Sequence, residues 1–96
     1  MSERIEDIHS AVETIHQCVA RHSASVPVRE MFGDQVAWEG VVETFDLEHH
    51  AKAKRAYAWR FMDGNEFRYV AVLEIPPVDS PQTAVRIAIA SKAKEK

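Results

Sequence analysis

The stretch AKRAYAWRFMDGNEFRYVAVLEI, residues 53–75, decides the fold because it has the pattern of a β-hairpin. Apolar and aromatic residues recur at every second position on both sides of Asp63-Gly64-Asn65, a spacing typical of strands. The sequence therefore predicts strands over 53–62 and 66–75, joined at this turn.

The length of the connecting loop fixes which residues of the hairpin face each other. A three-residue loop, with Asn65 in the left-handed conformation, sets Phe61 opposite Phe67 and Trp59 opposite Tyr69. A two-residue Asp-Gly loop would set the same tryptophan opposite an arginine. Because like side chains stabilise each other across strands, we predict the three-residue loop.

That register separates the two faces of the hairpin by side-chain size. The bulky face is the expected core, and it carries Tyr57, Trp59, Phe61, Phe67, Tyr69, Leu73 and Ile75. The other face has a small apolar centre made of Ala56, Ala58, Val70 and Val72. Charged residues ring this centre, namely Lys54, Arg60, Arg68 and Glu74.

Two further strands precede the hairpin. Pro27 lies in an extended segment, and since proline cannot donate to a ladder we predict an edge strand there. Glycine at the first position of Gly33-Asp34 predicts a two-residue type II′ turn, followed by a strand over 35–47. The alternation of that strand changes phase near Gly40, which predicts a β-bulge at this glycine.

Helices are expected at both ends of the chain. A helix over 2–22, capped by Ser2, is indicated by an apolar stripe at three- and four-residue intervals. Its members are Ile5, Ile8, Ala11, Val12, Ile15, Cys18 and Val19. Ser80 as a cap and Pro81 in the first turn predict a second helix over 81–94. Residues 83–91 also alternate as a strand would, but their alanines favour the helix.

These elements define an α+β fold in a single domain spanning 1–96. We predict an antiparallel four-stranded sheet with the N-terminal and C-terminal helices packed on one face, in the order α-β-β-β-β-α.

The composition is that of an ordinary globular protein. The 96 residues carry 12 Lys and Arg against 15 Asp and Glu, a net charge of −3. The single cysteine, Cys18, excludes an intramolecular disulfide and a cysteine-ligated metal site. We find no apolar run of the roughly 20 residues that a bilayer requires and no signal segment after Met1. The sequence predicts a cytoplasmic protein that does not enter a membrane.

One helical face groups potential metal ligands. His9, Glu13 and His16 lie close together on a helical projection, and imidazole and carboxylate groups can bind a transition metal. The spacing is not that of a His-Glu-x-x-His motif, and the group flanks the apolar stripe where solvated residues belong. We predict no metal and no cofactor.

The connector after the second strand contains the best candidates for ligand binding. They are His49, His50, Lys52, Lys54 and Arg55. A carboxylate beside an imidazole could orient a general base, so a small-molecule binder or enzyme using the His49/His50 loop is one hypothesis. No serine or cysteine nucleophile motif accompanies the loop, and solvated loop residues are the favoured explanation. We therefore predict no catalytic residues and no enzyme.

The same cluster raises a nucleic-acid hypothesis. The helix, strands, helix order resembles that of double-stranded RNA-binding domains in topology, and the cations of 49–55 could contact phosphates. Such domains place positive charge at the start of the second helix, whereas residues 80–83 carry none. With a net negative chain, nucleic-acid association is the alternative rather than the main prediction.

The main prediction is a non-enzymatic interaction or accessory module that associates with itself. A homodimer would cover the apolar centre and the apolar stretch of the second helix. The candidate interface residues are Ala56, Ala58, Val70, Val72 and Ile87.

Overall fold

The computed structural model describes residues 3–94 and contains two helices and four strands. In chain order they are α1 (Glu3–His16), β1 (Val19–Phe32), β2 (Gln35–Glu48), β3 (Arg55–Asp63), β4 (Glu66–Leu73) and α2 (Pro81–Lys94). The strands form one antiparallel sheet in the order β1-β2-β3-β4, which confirms the predicted α-β-β-β-β-α arrangement. The predicted cap at Ser2 lies outside the described residues.

The two helices pack on opposite faces of the sheet, so the prediction that they share one face is wrong. Ile8 of α1 is fully buried in a cluster with Ala56 and Ala58 of β3. Val85 of α2 is buried in a second cluster with Tyr57 and Trp59 of the same strand. Neighbouring residues of a strand point to opposite faces, and β3 is therefore covered on both sides.

The error follows from the register of the β3–β4 hairpin. The loop has two residues, Gly64 and Asn65, with Gly64 at a φ of 66°, and Trp59 pairs with Val70. Glycine takes this left-handed conformation without steric cost, and at the first loop position it gives a type II′ turn. The shift of one residue exchanges the two faces of β4 relative to the prediction.

The observed register mixes large and small side chains on each face. The α1 face combines Ala56 and Ala58 with Tyr69 and Leu73, whereas the α2 face combines two aromatic residues of β3 with smaller valines of β4. Each face thereby receives enough apolar surface to hold one helix.

The β1–β2 hairpin agrees with the prediction at its turn and edge but not at its bulge. Gly33 has a φ of 62° in a two-residue loop, and Pro27 lies in the edge strand β1. The breaks in register fall between His22 and Ala24 and between Glu30 and Met31. Gly40 pairs in register, so the predicted bulge at this glycine is wrong.

Helix α1 ends six residues earlier than predicted, because tertiary contacts override its apolar stripe. Gln17 has a left-handed φ of 51°, and β1 starts two residues later. The carboxylate of Glu13 accepts a hydrogen bond from the Ala20 N–H at 2.9 Å, and His9 Nε2 donates to the Ala20 carbonyl at 2.5 Å. Side chains of α1 thus bind both backbone groups of a residue at the start of β1.

Helix α2 has the predicted bounds and cap. The Ser80 hydroxyl accepts a hydrogen bond from the Thr83 N–H at 3.2 Å, and the Thr83 hydroxyl accepts one from the Ser80 N–H at 3.0 Å. This reciprocal pair satisfies N–H groups that the first turn leaves free. Farther along, Arg86 binds Glu30 of β1 at 3.0 Å and ties the helix to the sheet. Neither helix of the described chain is long and apolar enough to span a membrane.

Candidate functional site

An apolar groove of about 680 Å³ lies between α2 and the sheet, and we refer to it as the α2 groove. Its walls include Trp38, Trp59, Val70, Val72, Ile87 and Ile89. The two valines and two isoleucines are only half-buried. Apolar side chains that stay partly exposed beside a concavity are typical of binding sites.

The two tryptophans form the inner wall of the α2 groove. Trp38 of β2 meets Trp59 of β3 edge to face, with ring centroids 5.6 Å apart and planes inclined by 63°. Gly40 makes room for this arrangement, because a Cβ at that position would lie 3.0 Å from the ring of Trp38. The glycine that we expected to mark a bulge instead allows an indole ring to lie against the backbone.

The outer edge of β4 lies next to the groove. Glu74 donates its N–H to the Arg55 carbonyl at 2.8 Å, so backbone groups of even-numbered residues point toward β3. Those of odd-numbered residues point outward, as shown by the Ala71 carbonyl, which accepts a hydrogen bond from His16 Nε2 at 3.0 Å. Within residues 3–94, no strand pairs with this outer edge.

The predicted interface residues do not form one surface. Ala56 and Ala58 are 0% and 1% exposed because α1 covers them, so the prediction that they lie on an open face is wrong. Val70, Val72 and Ile87 all line the α2 groove on the opposite face. The structure therefore divides the predicted interface and leaves only these three together.

A buried carboxylate on the α1 face is the main polar feature that sequence reasoning missed. Glu43 of β2 is 0% exposed and accepts hydrogen bonds from Arg4 at 2.7 Å, His22 at 2.8 Å and Ser25 at 2.5 Å. Burial by itself raises the pKa of Glu43, but the bonds from Ser25, His22 and Arg4 outweigh it and hold the pKa below its ordinary value. The carboxylate therefore stays ionised at neutral pH.

This cluster has the residue types of a hydrolase but not the geometry. His22 Nε2 and the Ser25 hydroxyl both bind the same oxygen of Glu43, whereas a nucleophile would need the histidine between serine and carboxylate. The cluster instead ties α1, β1 and β2 together. One sequence signal could have found it, since Glu43 shares the strand parity of the apolar residues Phe45 and Leu47.

The histidines of the 49–55 connector have different environments. His49 is exposed and has a left-handed φ of 65°. His50 Nδ1 accepts hydrogen bonds from the N–H groups of Lys52 and Ala53, each at 3.1 Å, so this ring caps a turn. The structure thus places one candidate histidine in solvent and gives the other a structural bond.

The cations of the connector also differ in their environments. Lys52 and Lys54 are exposed. Arg55 binds Asp46 at 3.3 Å, and this hydrogen bond raises the pKa of the arginine. The charge of Arg55 is therefore partly neutralised within the chain.

The His9, Glu13 and His16 group does not converge on one point. The first two bind backbone groups of Ala20, while His16 reaches Ala71 on β4. Among the described residues, no three His, Cys, Asp or Glu side chains are arranged to hold a metal ion.

No family model matches the chain, and neither the curated proteins nor the solved structures provide a similar protein.

Proposed function

We propose that this chain is a non-enzymatic interaction domain that associates with itself, and that its contact surface is the α2 groove together with the outer edge of β4. The observation that carries the proposal is the juxtaposition of these two features. Val70 and Val72 belong to both, since they line the groove and lie in the edge strand.

The groove supports the proposal through its apolar walls. Ile87 and Ile89 of α2 both line the groove and are only half-buried. Covering such surface is favourable by roughly 25 cal/mol for each Å² removed from water. A second copy would bring an identical groove, so that both would be closed by one twofold contact.

The edge of β4 supports the proposal through its backbone and charges. A row of outward N–H and C=O groups is a template for pairing with another strand. Arg68 lies near one end of the edge, where it contacts Asp63 at 3.3 Å and Glu66 at 3.8 Å within its own chain. Glu74 lies near the other end, where it accepts a hydrogen bond from the phenol of Tyr57. The guanidinium of Arg68 remains 57% exposed, so a copy related by a twofold axis would add Glu74 of the second chain to its partners, which favours a second copy over an unrelated partner.

Sedimentation equilibrium tests the proposal. We expect a mass of about twice the 10.9 kDa of the chain at about 100 micromolar protein. Val72→Asp and Ile87→Asp should each shift the mass to that of one chain, because a charge buried without a partner costs several kcal/mol.

The matched control for these variants is Val36→Asp. Val36 is exposed in β2 and does not line the groove, so the same charge there should leave the dimer intact. A single-chain mass for the unmodified protein would overturn the proposal, as would dissociation by Val36→Asp and Val72→Asp to equal extents.

A small apolar ligand is the second candidate occupant, favoured by the volume of the groove, which lies within the usual range for small-molecule sites. Saturable binding of an anilinonaphthalene sulfonate probe at one site per chain, lost on Val72→Asp, by a protein that sediments as one chain would select this function instead.

A further inference from the structure

We propose that β4 pairs with β4 of a second copy in one antiparallel register, with Ala71 facing Ala71 across the twofold axis. This inference rests on the proposed self-association and specifies its geometry. The two sheets would join into one continuous sheet, with a helix α2 from each copy on the same face.

Backbone geometry first limits the registers that are possible. Only residues whose backbone groups point outward can bond to the second copy, and in β4 these are the odd-numbered residues, including Tyr69, Ala71 and Leu73. The Leu73 carbonyl already accepts the N–H of Ile75 at 2.9 Å, which leaves one of its two lone pairs for the second copy. Odd-numbered residues must therefore pair with odd-numbered ones. Every register that would set an odd residue opposite an even one is excluded.

Side chains then select among the remaining registers. With the axis at Ala71, Val70 faces Val72 and Arg68 faces Glu74 on the α2 face. On the other face, Tyr69 faces Leu73. Apolar residues thus meet apolar residues and opposite charges meet, which are the pairings that stabilise antiparallel strands.

Neighbouring registers give poorer matches. With the axis at Val70, Glu66 faces Glu74, and like charges directly opposite each other are destabilising. With the axis at Tyr69, Arg68 faces Val70. With the axis at Val72, Glu74 faces Val70. Of these four axes, only that at Ala71 places Arg68 opposite a carboxylate.

The bond from His16 is compatible with this pairing. A carbonyl oxygen has two lone pairs, and His16 uses one of those on Ala71. The other can accept the N–H of Ala71 from the second copy. His16 is the last residue of α1, a helix that packs on one face of the sheet, whereas the second strand would lie in the plane of the sheet.

Disulfide trapping tests the register. In a Cys18→Ser background, Ala71→Cys places two thiols across the axis on Cα atoms about 5.5 Å apart, within reach of a disulfide. Val70→Cys is the matched control, because its two copies would be diagonal neighbours about 7 to 8 Å apart. We expect Ala71→Cys to form covalent dimers at least about tenfold faster under mild oxidation.

Equal rates for the two cysteine variants, or a faster rate for Val70→Cys, would overturn this register. The proposed function fails separately, through a single-chain mass of the unmodified protein. A dimeric mass without preferential trapping at position 71 would therefore contradict this register but not self-association.

Charge reversal gives a second test that needs no cysteine at the axis. Arg68→Glu should weaken dimerisation at least about fivefold, because it sets two like-charged pairs across the axis. Adding Glu74→Lys to that variant should restore the original affinity. Failure of the double variant to recover more than the single one would contradict the pairing of Arg68 with Glu74.

Discussion

The two faces of the sheet differ in how completely their helix covers them. On the α1 face, the helix lies over the small side chains of Ala56 and Ala58, and its Arg4 donates a hydrogen bond to Glu43 of the sheet. On the α2 face, the helix packs on the larger side chains of Tyr57 and Trp59, and the groove lies beside them. The face of β3 that carries the large side chains is thus the face that keeps a concave apolar surface.

The two faces of the sheet also differ in their buried polar groups. The α1 face holds a buried carboxylate, whereas on the α2 face the phenol of Tyr57 donates to Glu74 near the end of the sheet. Burial and this hydrogen bond raise the pKa of Tyr57 to about 12, so the phenol stays protonated. The groove itself is built from apolar walls, and its contribution to association is therefore mainly hydrophobic.

Truncating the inner wall of the α2 groove should cause the largest loss of unfolding free energy. Trp59→Ala should lower the free energy of unfolding by about 3 to 5 kcal/mol, because a ring that is 4% exposed would leave a cavity under α2. Urea unfolding measures the loss. Phe32→Ala is the control, since Phe32 is 81% exposed and does not line the groove, and its loss should cost less than about 1 kcal/mol. Near-native stability of Trp59→Ala would show that α2 does not depend on this wall.

Removing the buried carboxylate of Glu43 should cause the second-largest loss of unfolding free energy. Glu43→Ala should cost about 2 to 3 kcal/mol, because Arg4, His22 and Ser25 lose their shared acceptor. Glu39→Ala removes a carboxylate whose pairing with Arg29 is solvent-exposed, and it should cost less than about 1 kcal/mol. Equal costs in urea unfolding would mean that the buried network does not fix α1.

The pH dependence of stability should report the same network. Because the pKa of Glu43 is lower in the folded chain than in the unfolded one, the unfolded chain binds more protons in acid. The stabilisation is complete above the ordinary carboxyl pKa of 4.5 and is lost as pH falls through the lower folded value. Glu43→Gln should flatten this acid limb in thermal melts between about pH 5 and pH 3. If the acid limb is unchanged in Glu43→Gln, other carboxylates are responsible for it.

Zinc and chelators should have the smallest effect on thermal stability. His9 and Glu13 already bind backbone groups at the start of β1, and His16 binds Ala71. We therefore expect the melting temperature to be the same with added zinc, with EDTA and in plain buffer. A zinc-dependent rise that His9→Ala and His16→Ala abolish would show a metal site on α1.

Local sequence signals predicted the elements of this fold but not how they combine. The cap at Ser80, the turn at Gly33 and the edge proline Pro27 each act over a few residues, and each lies where expected. The loop at Gly64 was misjudged by one residue, and strand periodicity turned that small error into exchanged faces along β4, while α1 covers the Ala56 and Ala58 face that was expected to be open.

The candidate site was harder to predict because it depends on packing. Val70, Val72 and Ile87 were expected at an interface from their apolar character, and the structure brings them into one groove. The groove exists because Trp38 and Trp59 meet across two strands, a contact between residues 21 positions apart. Nothing in the local pattern around either tryptophan indicates that contact.

Hydrogen exchange at the edge of β4 tests self-association at its proposed surface, since it observes the backbone groups that a second copy would cover. We expect the outward amides of Tyr69, Ala71 and Leu73 to gain protection as the protein concentration rises from about 1 to about 100 micromolar. The inward amide of Val70, bonded within the β3–β4 ladder, should be protected at both concentrations. If the outward amides exchange at the same unprotected rate at both concentrations, beside a protected Val70, the chain does not associate through this edge.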